Sequence, residues 1–264
     1  MSRRTPGLRI ESFGAGPKLV LVHGWAMHSG VWRDFAERLA ERVRVSMIDL
    51  PGHGSSGGIE DFSLNSVAAA LAEAAPAEAH WLGWSLGALI ALKISELHPE
   101  RVRSVILMAG SPRFVAAPDW PGLEPAWLAQ IATNLEADFL GTLKRFIGLQ
   151  TFGLDNARAL ARHIEARLAE RPPPEPGALR GGLRILQETD LRSALRRSTG
   201  PRLAVLGAHD RLVPKAVASK LQALTPGIET QVLEAAAHLP FATHPHDTAA
   251  LILDFIHRHD GGRR

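Results

Sequence analysis

Six short runs rich in Val, Ile and Leu alternate with helical patterns along this chain, and that alternation constrains the fold more than any other feature. The runs are KLVLVH (18–23), VRVSMIDL (43–50), AHWLGW (79–84), RVRSVILMA (101–109), RLAVLG (202–207) and IETQVL (228–233). Each is bounded by Gly, Pro or polar residues. Several are apolar on both faces, as strands inside a parallel sheet are. Helical periodicity fills the intervals at 31–41, 63–75, 86–97, 214–224 and 246–258. The pattern predicts an α/β fold, with a mainly parallel central sheet flanked by helices.

One stretch breaks the alternation. From about Phe114 to Leu195 no strand pattern occurs, and helical segments are predicted near 124–139, 139–150, 155–170 and 177–188, with a stiff Pro172-Pro173-Pro174 break. The expected division is a core made of residues 1–113 and 196–264 with a helical lid at 114–195. Ligands of open α/β sheets bind at the carboxyl ends of the strands, where such an insertion would sit.

Composition excludes several function classes. The chain has 264 residues, 45% hydrophobic and 22% charged, enough for one large core carrying an insertion. It has no cysteine, so disulfide, thiolate and Cys-based metal chemistry are out. The opening MSRRTPGLRIESFG has no apolar leader stretch, and no apolar run reaches membrane-spanning length. A cytoplasmic monomer is expected. The net charge is only +3, so nothing global points to nucleic acid.

Gly83-Trp84-Ser85-Leu86-Gly87 fits G-x-S-x-G at the junction of a predicted strand and a predicted helix. That context is the nucleophile elbow: the glycines permit a sharp turn and close helix–strand packing, and the serine stands at the top of the sheet. The helix N-terminus behind it favours developing negative charge. The bland alternative is an ordinary strand–helix turn that contains a serine.

A nucleophilic serine needs a base, and the base needs an orienting acid. In chain order the elbow is followed by Asp210, in RLAVLGAHDRLVP, and His238, in QVLEAAAHLPFATHP; each lies just past a strand end. His209 sits where the acid belongs, and His244 and His246 come too late, at the start of the last helix. The alternative roles for Asp210 are a helix N-cap or a loop salt bridge. An oxyanion hole needs two backbone N–H groups, for which Leu86 and Trp25 are the candidates. His23 and His53, in HGW and DLPGHGSS, read as structural.

These residues together resemble the α/β-hydrolases over nearly the whole chain. WLGWSLGALIA, DWPGLEP (119–125), RFIGLQTFG (145–153) and GGLRILQETDLR (181–192) narrow the resemblance to the pimeloyl-[acyl-carrier protein] methyl ester esterases of biotin synthesis. The resemblance implies removal of a methyl ester from the far end of a pimeloyl chain carried on acyl carrier protein, with no metal or cofactor. It implies Ser85, Asp210 and His238 as the triad. Trp25 and Leu86 would contact substrate beside the nucleophile, and Phe146, Ile147, Gly148, Leu149 and Gln150 would line the acyl site. Two positions depart from the pattern: Ala88, where glycine is frequent, and Gly141, where a basic residue is expected.

A carrier protein is acidic, and Lys144, Arg145, Arg158 and Arg162 form a basic stretch with only Asp155 acidic between 144 and 162. Arg158 and Arg162 share a helix face, with Ala157, Ala161, Ile164 and Leu168 on the opposite one. Such a face steers an acidic partner, or is simply solvated. On the same scaffold the triad is equally compatible with a general short-chain carboxylesterase or a carbon–carbon bond hydrolase. A non-enzymatic ligand-binding homologue is the alternative from another class.

Overall fold

All six predicted runs are strands: β2 (Lys18–Val22), β3 (Arg44–Ile48), β4 (Ala79–Trp84), β5 (Val102–Met108), β6 (Arg202–Gly207) and β7 (Glu229–Leu233). A seventh, β1 (Ile10–Phe13), was not legible in the sequence. It is four residues long, lies at the sheet edge and is largely half-buried, so IESF carries almost no apolar pattern. The computed structural model describes residues 7–261; the MSRRTP opening lies outside them. The sheet order is β1-β3-β2-β4-β5-β6-β7, with β1 antiparallel to β3 and every other pair parallel. β4 is buried along its whole length, which explains why it reads as a continuous apolar run rather than an alternating one.

The core helices follow the predicted periodicity with small adjustments. The 31–41 pattern splits into a 3₁₀ turn (Ser29–Trp32) and α1 (Arg33–Leu39). Then come α2 (Leu64–Ala74) and α3 (Leu86–Leu97). Between β5 and β6 lie α4 (Pro125–Ala137), α5 (Phe139–Gln150), α6 (Ala157–Leu168), α7 (Pro176–Glu188) and α8 (Arg192–Arg197). The chain closes with α9 (Val217–Leu224), α10 (Pro240–Thr243) and α11 (Pro245–Asp260). The short α8 was not anticipated: only Leu195 of its six residues is buried, so it shows no apolar period. Among the described residues no helix is long and apolar enough to cross a membrane.

Both departures from the family pattern have local causes. The Asp138 side chain caps α5 by accepting from the Gly141 N–H at 2.9 Å, and a Cβ at position 141 would collide with that carboxylate. Ala88 is fully buried in α3, and its methyl fills the space beside Gly110, where a Cβ would strike it.

The inserted helices are pinned to the core near the end of α6. Arg171, just before the three prolines, reaches the carboxylate of Asp49 at 2.7 and 2.8 Å and the Ser29 hydroxyl at 2.8 Å. The Asp49 side chain is wholly buried and also accepts from the N–H groups of Ser29 (2.7 Å) and Ser55 (2.9 Å). Burial alone would raise its pKa, but neighbouring His23 and the hydrogen bonds from Ser29 and Ser55 hold it below the ordinary aspartate value. More exposed contacts reinforce the pin, with Arg167 and His163 both reaching Asp34 of α1.

Removing one partner of a buried pair strands the other charge. Arg171→Met is therefore expected to cost about 3 kcal/mol of unfolding free energy in a urea titration. Arg167→Met, at a more exposed pair, is expected to change the midpoint far less. Equal midpoints for the two variants would contradict the pin.

Candidate active site

The serine elbow is strained in the way its sequence requires. Ser85 has φ 56° and ψ −118°, a left-handed conformation unusual for a residue with a Cβ. The turn is held by the Ser85 N–H donating to the Met108 carbonyl at 3.0 Å and the Ala88 N–H donating to the Ser85 carbonyl at 2.9 Å. The flanking glycines are needed for contact rather than for torsion. A Cβ on Gly83 would overlap the Gly87 carbonyl, and one on Gly87 would overlap the carbonyl of Val22 at the end of β2. α3 thus rests directly on the strand ends, and its N-terminus points at the space above Ser85.

Asp210 and His238 meet across the loops that follow β6 and β7. His238 Nδ1 donates to Asp210 Oδ2 at 2.7 Å, with both side chains fully buried. The other carboxylate oxygen accepts from the N–H groups of Leu212 (2.8 Å) and Val213 (3.0 Å). These bonds orient the acid and fix which imidazole nitrogen carries the proton, leaving Nε2 as the free basic atom. That Nε2 is buried and has no partner. Ser85 Oγ is not hydrogen-bonded to it, and contacts of this kind tighten when the reacting group is engaged. Trp84, the residue before the serine, links the two halves: its indole N–H donates to the His238 carbonyl at 2.8 Å, and the two rings lie 5.8 Å apart.

Neither the Trp25 nor the Leu86 N–H donates to a backbone carbonyl among the described residues. Leu86 is the first residue of α3, where helix geometry leaves that group free. Trp25 lies in the loop after β2. A Cβ added to Gly24 would come within 3.3 Å of the Ser85 Cβ, so this loop lies against the nucleophile. His23 braces it, with Nδ1 donating to the Gly24 carbonyl at 2.8 Å and Nε2 accepting from the Leu50 N–H at 2.9 Å. Burial, reinforced by neighbouring His53, pushes the His23 pKa down to about 3. His53 donates to the Pro51 carbonyl at 3.0 Å, and burial lowers it to about 4. Both rings are structural and neutral at working pH, the role the sequence suggested.

The wall over this site comes from α5 and α7. The Trp25 indole N–H donates to the Leu179 carbonyl of α7 at 2.9 Å, and its ring meets Phe146 of α5 edge-on at 4.8 Å. The Gln150 carbonyl accepts from the His238 N–H at 3.3 Å. Phe146, Ile147 and Gln150 are buried and Leu149 is half-buried, whereas Gly148 is exposed on the same side of α5 as Lys144. Sequence reasoning missed α7's part. Its signal was Gly181-Gly182 inside a helix, a costly pair. A Cβ on Gly182 would lie 2.7 Å from Trp25 Cδ1 and 3.2 Å from Leu86 Cδ2, and one on Gly181 would lie 2.7 Å from Phe62. The Asp49–Arg171 pin was also missed, because DLPGHGSS reads only as a turn.

The four basic residues singled out in the sequence are all exposed. Arg145 pairs with Asp138 at 3.4 Å, whereas Lys144, Arg158 and Arg162 have no acidic partner among the described residues. α6 buries Leu160 and Ile164 and turns Arg158 and Arg162 outward. The exposed large apolar side chains include Leu140 (68%) and Phe152 (53%), on either side of Lys144 and Arg145.

Chemically, the arrangement offers a strained hydroxyl, an oriented imidazole with a free nitrogen, and two free N–H groups beside a helix N-terminus. These are the parts of nucleophilic acyl transfer. Among the described residues no group of three or more His, Cys, Asp and Glu side chains is arranged to hold a metal.

Comparison with known proteins agrees with this fold. A family model described as the alpha/beta hydrolase fold matches residues 17–245. A protein from Methylococcus capsulatus named pimeloyl-[acyl-carrier protein] methyl ester esterase is 46% identical over 250 residues, 95% of this chain and 98% of its own length. One of the same name from Aeromonas hydrophila is 43% identical over 249 residues, 94% of this chain and 98% of its own. Among solved structures, an esterase from Exiguobacterium antarcticum superposes with a TM-score of 0.85, covering 96% of each chain at 21% identity.

The buried histidines give the site a definite response to acid. In the unfolded chain they take up protons near pH 6.5, while the folded forms of His23 and His53 refuse them down to about 3 and 4. Their stability contribution is complete above the unfolded pKa and is lost as pH falls below it. The melting temperature is therefore expected to drop between pH 7 and pH 5, by less in His53→Gln. An unchanged pH slope in that variant would contradict the assignment.

Proposed function

The chain belongs to the α/β-hydrolase family, and on that premise we propose that it is a serine carboxylesterase that hydrolyses the methyl ester of pimeloyl-[acyl-carrier protein] to the free acid and methanol in biotin biosynthesis. The observation that carries the chemistry is the buried 2.7 Å Asp210–His238 pair beside the strained Ser85 turn. The substrate reading is supported by the names of the two relatives and by the unpaired basic side chains on α5 and α6. The reaction is placed in the cytoplasm, with the enzyme acting as a monomer.

His238 Nε2 takes the Ser85 proton as Oγ attacks the ester carbonyl carbon. Negative charge gathers on the carbonyl oxygen, where the N–H groups of Trp25 and Leu86 and the N-terminus of α3 stabilise it. The carbonyl re-forms, the C–OCH3 bond breaks, and His238 returns its proton to the departing methoxide, giving methanol. Water then attacks the acyl-serine, again with His238 as base, and Ser85 is regenerated with release of the carboxylate. Asp210 holds the imidazole in the productive tautomer and stabilises its cationic form without taking the proton. Trp25, Leu86, Phe146, Ile147, Leu149 and Gln150 line the acyl site, and the exposed Gly148 is the least suited to that role.

The helices between β5 and β6 act as the lid over this site, and residues 114–195 form a unit distinct from the core. Ser85 is only 4% exposed and His238 not at all, so α5 or α7 must shift to admit an acyl chain. The contacts holding α5 include the Gln150–His238 backbone bond and the Phe146–Trp25 edge contact, each worth about 1 kcal/mol. Lys144, Arg145, Arg158 and Arg162 are the carrier-protein contacts, with exposed Leu140 and Phe152 beside them. No cofactor takes part.

The test compares pimeloyl-carrier-protein methyl ester with p-nitrophenyl butyrate. A strong preference for the carrier-bound ester, lost in Ser85→Ala, is expected. Activity confined to the small ester would leave a general esterase. Asp210→Asn is expected to lower kcat about 10⁴-fold on both substrates while the fold is kept. Reversing charge at Arg158 and Arg162 should slow the carrier-bound ester alone, and equal losses on both would make those arginines lid supports.

A further inference from the structure

A second basic site lies outside the helices already described. At the seam between the α5–α6 turn and the loop that carries Asp210 there is a cleft of about 360 Å³, lined by Phe152 and Gly153 on one side and by His209, Arg211 and Lys215 on the other. We propose that this cleft is the core-side half of the docking surface for the acidic carrier protein, with Arg211 and Lys215 receiving carboxylates of the partner. The proposal rests on the carrier-linked reading above.

Charge comes first. Arg211 and Lys215 are exposed and have no acidic partner among the described residues, and the His209 side chain has none either. The one carboxylate in the lining, Asp210, is fully buried and committed to His238, Leu212 and Val213, so it faces away from any docked partner. Some arginines are matched within the chain, half-buried Arg192 with Asp119 and Asp190 and exposed Arg258 with Glu229 and Asp254, whereas Arg211 is not. The cleft and the α5–α6 face thus both carry exposed basic side chains with no acidic partner among the described residues.

Continuity comes second. Arg211 stacks on the Phe152 ring at 4.8 Å, so the acid loop and the end of α5 already touch. Phe152 lies two residues past α5, which bears Lys144 and Arg145, and six before Arg158. An apolar side chain 53% exposed between unpaired bases is what a protein–protein contact needs at its centre, with the charges as its rim. A partner seated there spans both lid and core. It therefore binds fully only when the two are in register, and its weight rests on the loop that holds the triad acid.

The experiment uses the Ser85→Ala enzyme, which holds substrate without turnover, and the pimeloyl methyl ester form of acyl carrier protein. Binding is measured by titration calorimetry at low and moderate salt, with and without Arg211→Glu and Lys215→Glu together. The expected result is about tenfold weaker binding and a shallower salt dependence, because each lost rim charge removes steering. In the Ser85 enzyme the same pair of substitutions should lower kcat/KM on the carrier-bound ester similarly and leave p-nitrophenyl butyrate within about twofold. The milder Lys215→Gln guards against misfolding and should give a smaller shift in the same direction. Carrier binding that is unaltered by both sets overturns the cleft assignment and leaves the esterase reading intact. Cleft-dependent binding without carrier-ester turnover overturns the reaction and keeps the docking site. No binding by the Ser85→Ala enzyme at all overturns both.

Discussion

Everything in the site depends on one unfavourable backbone conformation. Ser85 sits at positive φ, and the chain holds it there by burying β4 and α3 on either side and by letting α3 rest on the carbonyls at the end of β2. A residue with a Cβ keeps such torsions only where its surroundings over-determine them. Here they do so from four directions: the Met108 carbonyl, the Ala88 N–H, the close approach of Gly83 to Gly87, and the Gly24 loop against the Ser85 side chain. The arrangement aims the hydroxyl and frees the Leu86 N–H in a single turn.

From that point the sheet distributes the remaining parts. Parallel pairing brings the carboxyl ends of β2 to β7 to one edge, so β2, β4, β6 and β7 each deliver one component without long loops. The order along the sheet sets the distances. The loop with Gly24 and Trp25 follows the strand next to β4, and Asp210 and His238 follow two adjacent strands on the other side. Tryptophan, phenylalanine and histidine rings fill the space between them. Trp84 and Phe241 pack at 5.1 Å and Trp32 and Phe241 at 4.4 Å, an aromatic floor beneath the loop that carries His238.

What the sequence displayed plainly was whatever needed many residues in a pattern or one residue type at a fixed place. Doubly buried strands, the glycine-flanked serine and the Asp and His in chain order all belong there. The edge strand β1 and the short α8 stayed hidden because each buries too little to leave a period. Long-range pairs were also invisible. Asp49 and Arg171 are 122 positions apart, and neither side's local sequence names the other. The same holds for Gly182 against Trp25, although a double glycine inside an amphipathic helix was a signal of close packing that periodicity alone does not explain.

Trp25 stands where three elements meet: its indole N–H is bonded to α7, its ring lies against α5, and its own backbone belongs to the loop that approaches the serine. The chain contains six tryptophans and no tyrosine, so its ultraviolet emission is dominated by indole. Any displacement of α7 exposes one N–H and one ring face of Trp25 to water, and any displacement of α5 removes its edge contact. Trp25's share of the protein's own fluorescence is thus tied to the packing of α5 and α7 against the loop that approaches the serine.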